Sequence, residues 1–264
     1  MTATTATASL GRSPARDADV NRVPEPTIGF WIIKLTAVTM GETAADFLAV
    51  NLGLGLTATS LLMALVLIAA MVWQFRQKRY VPATYWGAVV LISVVGTLIT
   101  DNLTDNLGVP LLTSTIGFTL ALGATFTAWY VSERTLSIHE VFTGRREVFY
   151  WLAILFTFAL GTAVGDLISE DFGIGFGGTG ILFGLIIASL ALGYFVLGLD
   201  ELWAFWLCYI FTRPLGASFG DLLAQPHDYG GLGLGTVTTS AGFLAVIAGT
   251  VALMSAQRAI ANKM

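Results

Sequence analysis

Seven ionisable side chains in this sequence stand inside long apolar runs, and their spacing is regular. Four of those runs open on a tryptophan: Trp31, Trp86, Trp151 and Trp206. Counted from it, Asp46, Asp101, Asp166 and Asp221 each fall fifteen residues on, Glu42 eleven, Arg213 seven and Lys34 three. Each helical residue turns about 100°, so steps of four keep all seven on one stripe spread over about 120°. A charge at membrane depth costs at least about 2.5–3.5 kcal/mol on insertion scales, so such groups face a bundle interior or water and pair with one another. Five carboxylates against two bases is a set suited to cations. Rings of carboxylates line cation pathways, and hard oxygen ligands suit Mg²⁺, Ca²⁺ or Mn²⁺. On this reading Asp46, Asp101, Asp166, Asp221 and Glu42 bind the ion, with the four aspartates as metal ligands. Glu42 doubles as a proton carrier, and Lys34 and Arg213 tune the charge. The competing reading is structural, each aspartate capping a helix end or pairing with Lys34 or Arg213. It accounts poorly for the same distance recurring four times.

The elements that must position these groups repeat as well. A Phe–Trp or Tyr–Trp pair leads ten residues on to Gly41, Gly96, Gly161 and Gly216, and five further to the aspartate. The tryptophans are 55, 65 and 55 residues apart. Such a period signals tandem repeats. The chain of 264 residues is 55% hydrophobic and 11% charged, with mean hydropathy +0.77, whereas soluble domains carry about 25% charged residues. Runs of about 20 apolar residues mark membrane helices, and eight are predicted: 28–48, 56–75, 83–101, 109–131, 148–167, 174–198, 202–222 and 234–256. The expected fold is an all-α membrane protein of eight transmembrane helices, built as four tandem parallel two-helix repeats around a central pseudo-fourfold or two-plus-two axis. Repeat 1 spans 25–82, repeat 2 83–147, repeat 3 148–200 and repeat 4 201–264. Residues 1–24, almost without large apolar residues, are expected to be a disordered cytoplasmic tail.

Basic residues set the orientation. Of 13 Lys and Arg, all but Lys34 and Arg213 precede the first run or follow the second, fourth and eighth. The positive-inside rule then puts both termini in the cytoplasm and gives every repeat the same orientation. The aromatic pairs fall at the cytoplasmic helix ends, where interfacial anchoring is the expected role. The glycines ten residues on provide a small surface for close helix packing, and Pro214 is expected to kink the seventh helix. The connections on the far side, such as NLGLGLTATS (51–60) and DYGGLGLGTVTTS (228–240), are glycine-rich, with Thr or Ser expected to cap the next helix.

The segment VPEPTIGFWIIKLTAVTMGETAADFLAVNLGLG (23–55) resembles the first repeat of a family of bacterial inner-membrane proteins made of four tandem two-helix repeats, each with a tryptophan. The family is known as a repeat of unknown function or as membrane-anchored proteins. The resemblance covers about 24–257 and implies the fold and the bacterial inner membrane; it implies no activity. A weaker similarity of style links the chain to cation/proton exchangers with paired acidic–glycine motifs. Only repeat 1 carries the Gly–Glu pair, however, with Thr97, Thr162 and Ala217 in the place of Glu42.

The expected function is transport of a small cation, a divalent metal ion above others, in exchange for protons, with the lipid bilayer as the surrounding partner. The alternatives are transport of a small anionic or neutral solute through Lys34 and Arg213, or a structural membrane protein. No cofactor is implied, and a net charge of −4 argues against nucleic acid. No Ser–His pairing, HExxH, P-loop or Rossmann pattern suggests an enzyme. His139 and His227 lack zinc-type spacing partners. The lone Cys208 excludes an intrachain disulfide framework.

Overall fold

The structure, a computed structural model, describes residues 21–261, with side chains as far as Gln257. Among the described residues all regular structure is helical. There are eight long helices: α1 (Ile28–Asp46), α2 (Leu56–Arg76), α3 (Pro82–Asp101), α4 (Leu111–Glu133), α5 (Gly144–Asp166), α6 (Gly175–Leu197), α7 (Glu201–Ala224) and α8 (Thr236–Ala261). Six of them, α2 to α6 and α8, are long and apolar enough to cross a membrane, consistent with a multi-pass membrane protein. The other two, α1 and α7, carry Lys34, Glu42 and Arg213.

The helices divide by burial. The odd-numbered ones hold the core: Phe30, Ile33, Trp86, Ile92, Tyr150, Phe158 and Tyr209 are all essentially inaccessible. The even-numbered ones leave Leu61, Leu65, Leu120, Leu185 and Leu253 exposed. That is the distribution expected of helices whose outer faces meet acyl chains, because lipid removes the cost of leaving leucine uncovered.

The odd helices close a ring, with α1 against α3, α3 against α5, α5 against α7, and α7 back against α1. Glycine sets the spacing. A Cβ on Gly41 would sit 1.9 Å from Ser93 Oγ, and one on Gly96 would sit 2.7 Å from Phe158 Cβ. One on Gly161 would sit 2.2 Å from Arg213 Cγ, and one on Gly216 2.5 Å from Val38 Cγ1. Each contact joins the glycine ten residues after a tryptophan to the residue seven after the next tryptophan, and the fourth returns to the first helix. Four residues further along, Thr100 Oγ1 donates to Ala159 O at 3.1 Å, and Gly220 lies under Thr39 O in the same order.

The even helices follow a displaced version of this order. Each packs chiefly against the odd helix that follows it: α2 on α3, α4 on α5, α6 on α7. The last, α8, returns to α1, where Thr43 Oγ1 lies 2.6 Å from Ser240 Oγ. Helices adjacent in sequence within a repeat are therefore not the main packing pair.

Three of the expectations change. Seven of the eight residues of the aromatic pairs are buried core side chains rather than interfacial anchors, Trp31 alone being half-buried. Trp86, Trp151 and Trp206 are at most 5% exposed, and their ring nitrogens donate to Tyr80 OH, Glu147 Oε1 and Leu136 O respectively. Second, Thr and Ser do not cap α2, α4 and α6; their N-caps are Gly55, Pro110 and Ile174, without side-chain bonds. Gly53 and Gly55 both take positive φ, which lets the chain reverse in too few residues to leave a hydroxyl at the cap. Third, residues 1–20 of the expected disordered tail lie outside the described residues, but its last four are docked. Asn21 Nδ2 donates to Ile138 O at 2.8 Å, Tyr80 N donates to Asn21 O, and Arg22 pairs with buried Glu147. Helix α7 runs unbroken through Pro214.

Candidate functional site

The core of the ring is one guanidinium. Arg213 is fully buried and bonds to all three of the other odd helices. Nη2 donates to Glu42 Oε2 on α1 at 2.8 Å, to Thr162 Oγ1 on α5 at 2.7 Å, and to Thr97 Oγ1 on α3. Nη1 donates to Val38 O at 3.0 Å and Ser93 Oγ at 3.4 Å, and Nε to Phe158 O at 3.3 Å. Arginine suits this place because its planar fork offers five donors in fixed directions. The sequence frame explains the partners. Val38, Ser93 and Phe158 occupy in their own helices the position of Arg213, and Glu42, Thr97 and Thr162 lie one turn further on. The fourth residue of that second level is Ala217, on the turn above Arg213 itself. Gly161 leaves the space through which the arginine stem passes.

Glu42 is 5% exposed and is the only carboxylate in contact with that guanidinium among the described residues. It also accepts from Thr97 Oγ1 at 3.1 Å. A buried pair of this kind persists only when further hydrogen bonds satisfy both groups, and Thr97, Thr162 and two carbonyls do so here. Lys34 lies towards the tryptophan end, also fully buried. It donates to Tyr209 O at 2.8 Å, and its Nζ sits 4.0 Å from the Tyr209 ring centroid and 5.6 Å from that of Phe158. Among the described residues it makes no ion pair. Pro214 supplies no N–H to the carbonyl four residues before it; Lys34 bonds the carbonyl next to that one.

The four aspartates stand at the opposite end of the ring. Asp46, Asp101 and Asp166 are half-buried and Asp221 is 8% exposed. The first three are each the last residue of an α-helix before a π-helical turn: Phe47–Asn51, Asn102–Asn106 and Leu167–Asp171. Such widened turns are frequent at functional sites. Helix α7 lacks one. Instead, the following loop folds back, and Leu232 N, Leu234 N and Gly235 N bond the carbonyls of Leu222, Leu223 and Ala224. That leaves Gln225 Nε2 free to donate to Asp46 Oδ2 at 3.0 Å. Each aspartate lies one turn beyond the level of Glu42, Thr97, Thr162 and Ala217, the first three of which meet at Arg213 Nη2.

Among the described residues no group of three His, Cys, Asp or Glu side chains is arranged to hold a metal ion.

Two acidic residues escaped the sequence reading. Asp105 and Glu170 stand nineteen residues after their tryptophans, one turn beyond the aspartates, with Gln225 at the matching place in repeat 4. Both act electrostatically on Asp46, and Glu170 also acts on Asp166 and Asp221. Extending the four-residue steps by one more turn finds them.

A second polar cluster lies at the tryptophan end. His139 Nδ1 is 3.0 Å from Glu25 Oε2, and Nε2 is 3.0 Å from Glu201 Oε1. It borders a cavity of about 190 Å³ lined by Leu136, Asp200, Phe205 and Trp206 among others. Partial burial opposes the charged ring, but the hydrogen bonds and charges of Glu201 and Glu25 outweigh it and raise the pKa.

No curated protein and no solved structure matches the chain. A family model described as Repeat of Unknown Function (DUF347) matches four times, over residues 29–80, 84–135, 149–198 and 204–259. Each match pairs one odd helix with the even helix after it, and together they cover most of the sequence; the chain therefore belongs to the DUF347 repeat family.

Proposed function

We propose that the protein is a multi-pass transporter of a small cation in the bacterial inner membrane. All eight helices span the bilayer around a pseudo-fourfold axis, with both termini cytoplasmic. The basic residues at the tryptophan end support that orientation through the positive-inside rule. The aspartate end then faces outward as an acidic mouth, and Glu42 with Arg213 forms its floor. The observation that carries the reading is the set of four aspartates at one end of the ring, one helical turn beyond the level of the buried Glu42–Arg213 pair.

A packed axis favours a carrier over an open pore. Below Arg213 the space is taken by Phe158, Tyr209 and Lys34. Further in, Tyr85 OH meets Tyr150 OH at 2.5 Å. Passage requires the Glu42–Arg213 pair to separate, and a proton on Glu42 is the simplest way to release it, which gives proton exchange a physical route. A second reading has one observation in its favour: Lys34 is a fully buried base with no carboxylate partner among the described residues, so an anionic solute would supply the missing charge.

The test is flux into liposomes holding the purified protein. Cation uptake is expected, lost in a variant with all four aspartates changed to Asn and dependent on an opposing proton gradient. Flux unchanged by those four substitutions would refute the proposal. Anion flux lost in Lys34→Met would favour the second reading.

A further inference from the structure

Three of the four repeat tryptophans are covered by protein, and the fourth is not. Trp86, Trp151 and Trp206 give their ring nitrogens to Tyr80, Glu147 and Leu136. Trp31 is half-buried, and among the described residues nothing accepts from its ring nitrogen. It stands in the wall of a groove of about 410 Å³ where α1, α6 and α7 meet. Connection length explains the opening. Residues 77–81 join α2 to α3 and residues 134–143 join α4 to α5, and these supply Tyr80 and Leu136. Only residues 198–200 join α6 to α7, a link too short to reach over Trp31. The groove is apolar along its length, with Ile28 and Leu35 of α1, Leu190 and Phe195 of α6, and Cys208 of α7 in its walls. Ile28 and Phe195 are exposed, so it opens on the same outer surface as the uncovered leucines. From Glu201 to Leu215 it follows α7 for about 21 Å at 1.5 Å per residue, against about 15 Å for the hydrocarbon of one leaflet. Its volume lies in the range of small-molecule sites, about 300–1,000 Å³.

One end of the groove is polar and acidic. Glu201 lines it. Its Oε1 lies 3.0 Å from His139 Nε2, which leaves the second carboxylate oxygen able to accept another donor. Glu25, on the other side of His139, precedes Pro26 of the groove wall, and Asp200 adjoins Glu201 at the cap of α7. One histidine against three carboxylates keeps this corner negative even when the ring is charged. The rest of this end is basic: Arg76, Lys78 and Arg79 follow α2, Arg134, Arg145 and Arg146 follow α4, and the α6–α7 link has no base. Anionic lipid heads gather at basic segments, so an acidic corner selects a head that carries an ammonium. We propose that the groove seats an acyl chain of a membrane phospholipid with a primary-amine head, its ester or phosphate oxygen accepting from Trp31 Nε1 and its ammonium donating to Glu201. The proposal rests on the bilayer-spanning reading of the helices and not on what they transport. A charge-assisted bond at Glu201 is stronger than a neutral one, and the indole supplies a fixed donor at the depth where such rings meet lipid heads.

Cys208 reports on the groove, because it lies in the wall and is the single cysteine of the chain. Purified full-length protein, freed of lipid in detergent, is titrated with dioleoylphosphatidylethanolamine or dioleoylphosphatidylglycerol. Labelling of Cys208 by N-ethylmaleimide and lipid retention in native mass spectrometry are followed together. The ethanolamine lipid is expected to be retained at one per chain and to slow labelling at least fivefold, and the glycerol lipid to do so only at several-fold higher concentration. Trp31→Phe, which keeps the ring and removes the N–H, weakens retention about threefold, and Glu201→Gln abolishes the preference between the two lipids. Ala191→Phe, which puts a ring into the groove from α6, removes retention, whereas Leu253→Phe on the exposed face of α8 does not. Melting temperatures without lipid check that each variant folds; if Ala191→Phe does not, Trp31→Phe and Glu201→Gln carry the test. The proposal is overturned if the ethanolamine lipid leaves labelling unchanged, if the two lipids shield Cys208 equally, or if Cys208 is just as inert without lipid. A dimer whose dissociation exposes Cys208 would also overturn it, assigning the groove to a second copy of the chain. Shielding without ion flux would leave this proposal standing and remove transport, and flux without shielding would do the reverse.

Discussion

A β-carbon placed on Gly161 would lie 2.2 Å from Cγ of Arg213 and 2.4 Å from its Cβ. The glycine that opens the way for the central guanidinium thus belongs to the helix before it. Gly161→Ala is expected to displace Arg213 from Glu42, Thr97 and Thr162 together, and to cost several kcal/mol because a buried charge loses its partners. Gly123→Ala, on α4 with nothing within 4 Å, is expected to be neutral or slightly stabilising. Thermal unfolding of both variants in detergent checks this; equal melting temperatures would show that the ring is looser than described.

The Glu42–Arg213 pair should show strong coupling. Removing one partner of a buried pair costs about 3–5 kcal/mol, while replacing both with apolar groups of similar volume is often near neutral. Glu42→Met and Arg213→Met are each expected to lower the melting temperature sharply, and the double variant to recover much of the loss. Arg213→Lys should not substitute, since one ammonium cannot reach three helices at once. A double-mutant cycle in which the two losses add would show the pair to be uncoupled.

The first and last helices should cross-link. Thr43 Oγ1 and Ser240 Oγ are 2.6 Å apart, close to the reach of a disulfide. Thr43→Cys with Ser240→Cys, in a Cys208→Ser background, is expected to form an intramolecular bond under mild oxidation, seen as a reducible mobility shift. No shift would mean that α8 does not return to α1.

The His139 cluster should make stability depend on pH. Both ring nitrogens face carboxylates, so the ring donates twice only when charged. Its pKa is raised in the folded state. The contribution is therefore complete below the unfolded value of about 6.5 and is lost as pH rises through the folded one. With the side chain about a third exposed, the effect is small, about 0.2–1 kcal/mol. His139→Gln is expected to lower the melting temperature at pH 5.5 and to have no effect at pH 9. The opposite trend would show that the ring is neutral in the fold.

Much of this arrangement is legible in the sequence, because the repeat imposes its register on everything inside it. The spacing that puts Asp46, Asp101, Asp166 and Asp221 on one stripe with Glu42, Lys34 and Arg213 also places them at one end and along the inside of the ring. What the spacing cannot carry is the neighbour relation between helices. That Gly161 serves Arg213, or that Arg213 rather than an aspartate becomes the hub, depends on how far each helix is shifted against the next. The tryptophans misled for a related reason. A ring near a helix end suits the interface in a single helix, but four such helices closing on one another bury it.

Since every even helix rests on the odd helix of the following unit, and the eighth on the first, the polypeptide is circular in all but covalent connection. A permuted chain opened between α2 and α3, with the old termini joined by a flexible linker, should fold to the same assembly. A version with one unit deleted would leave an orphan helix on each side of the gap.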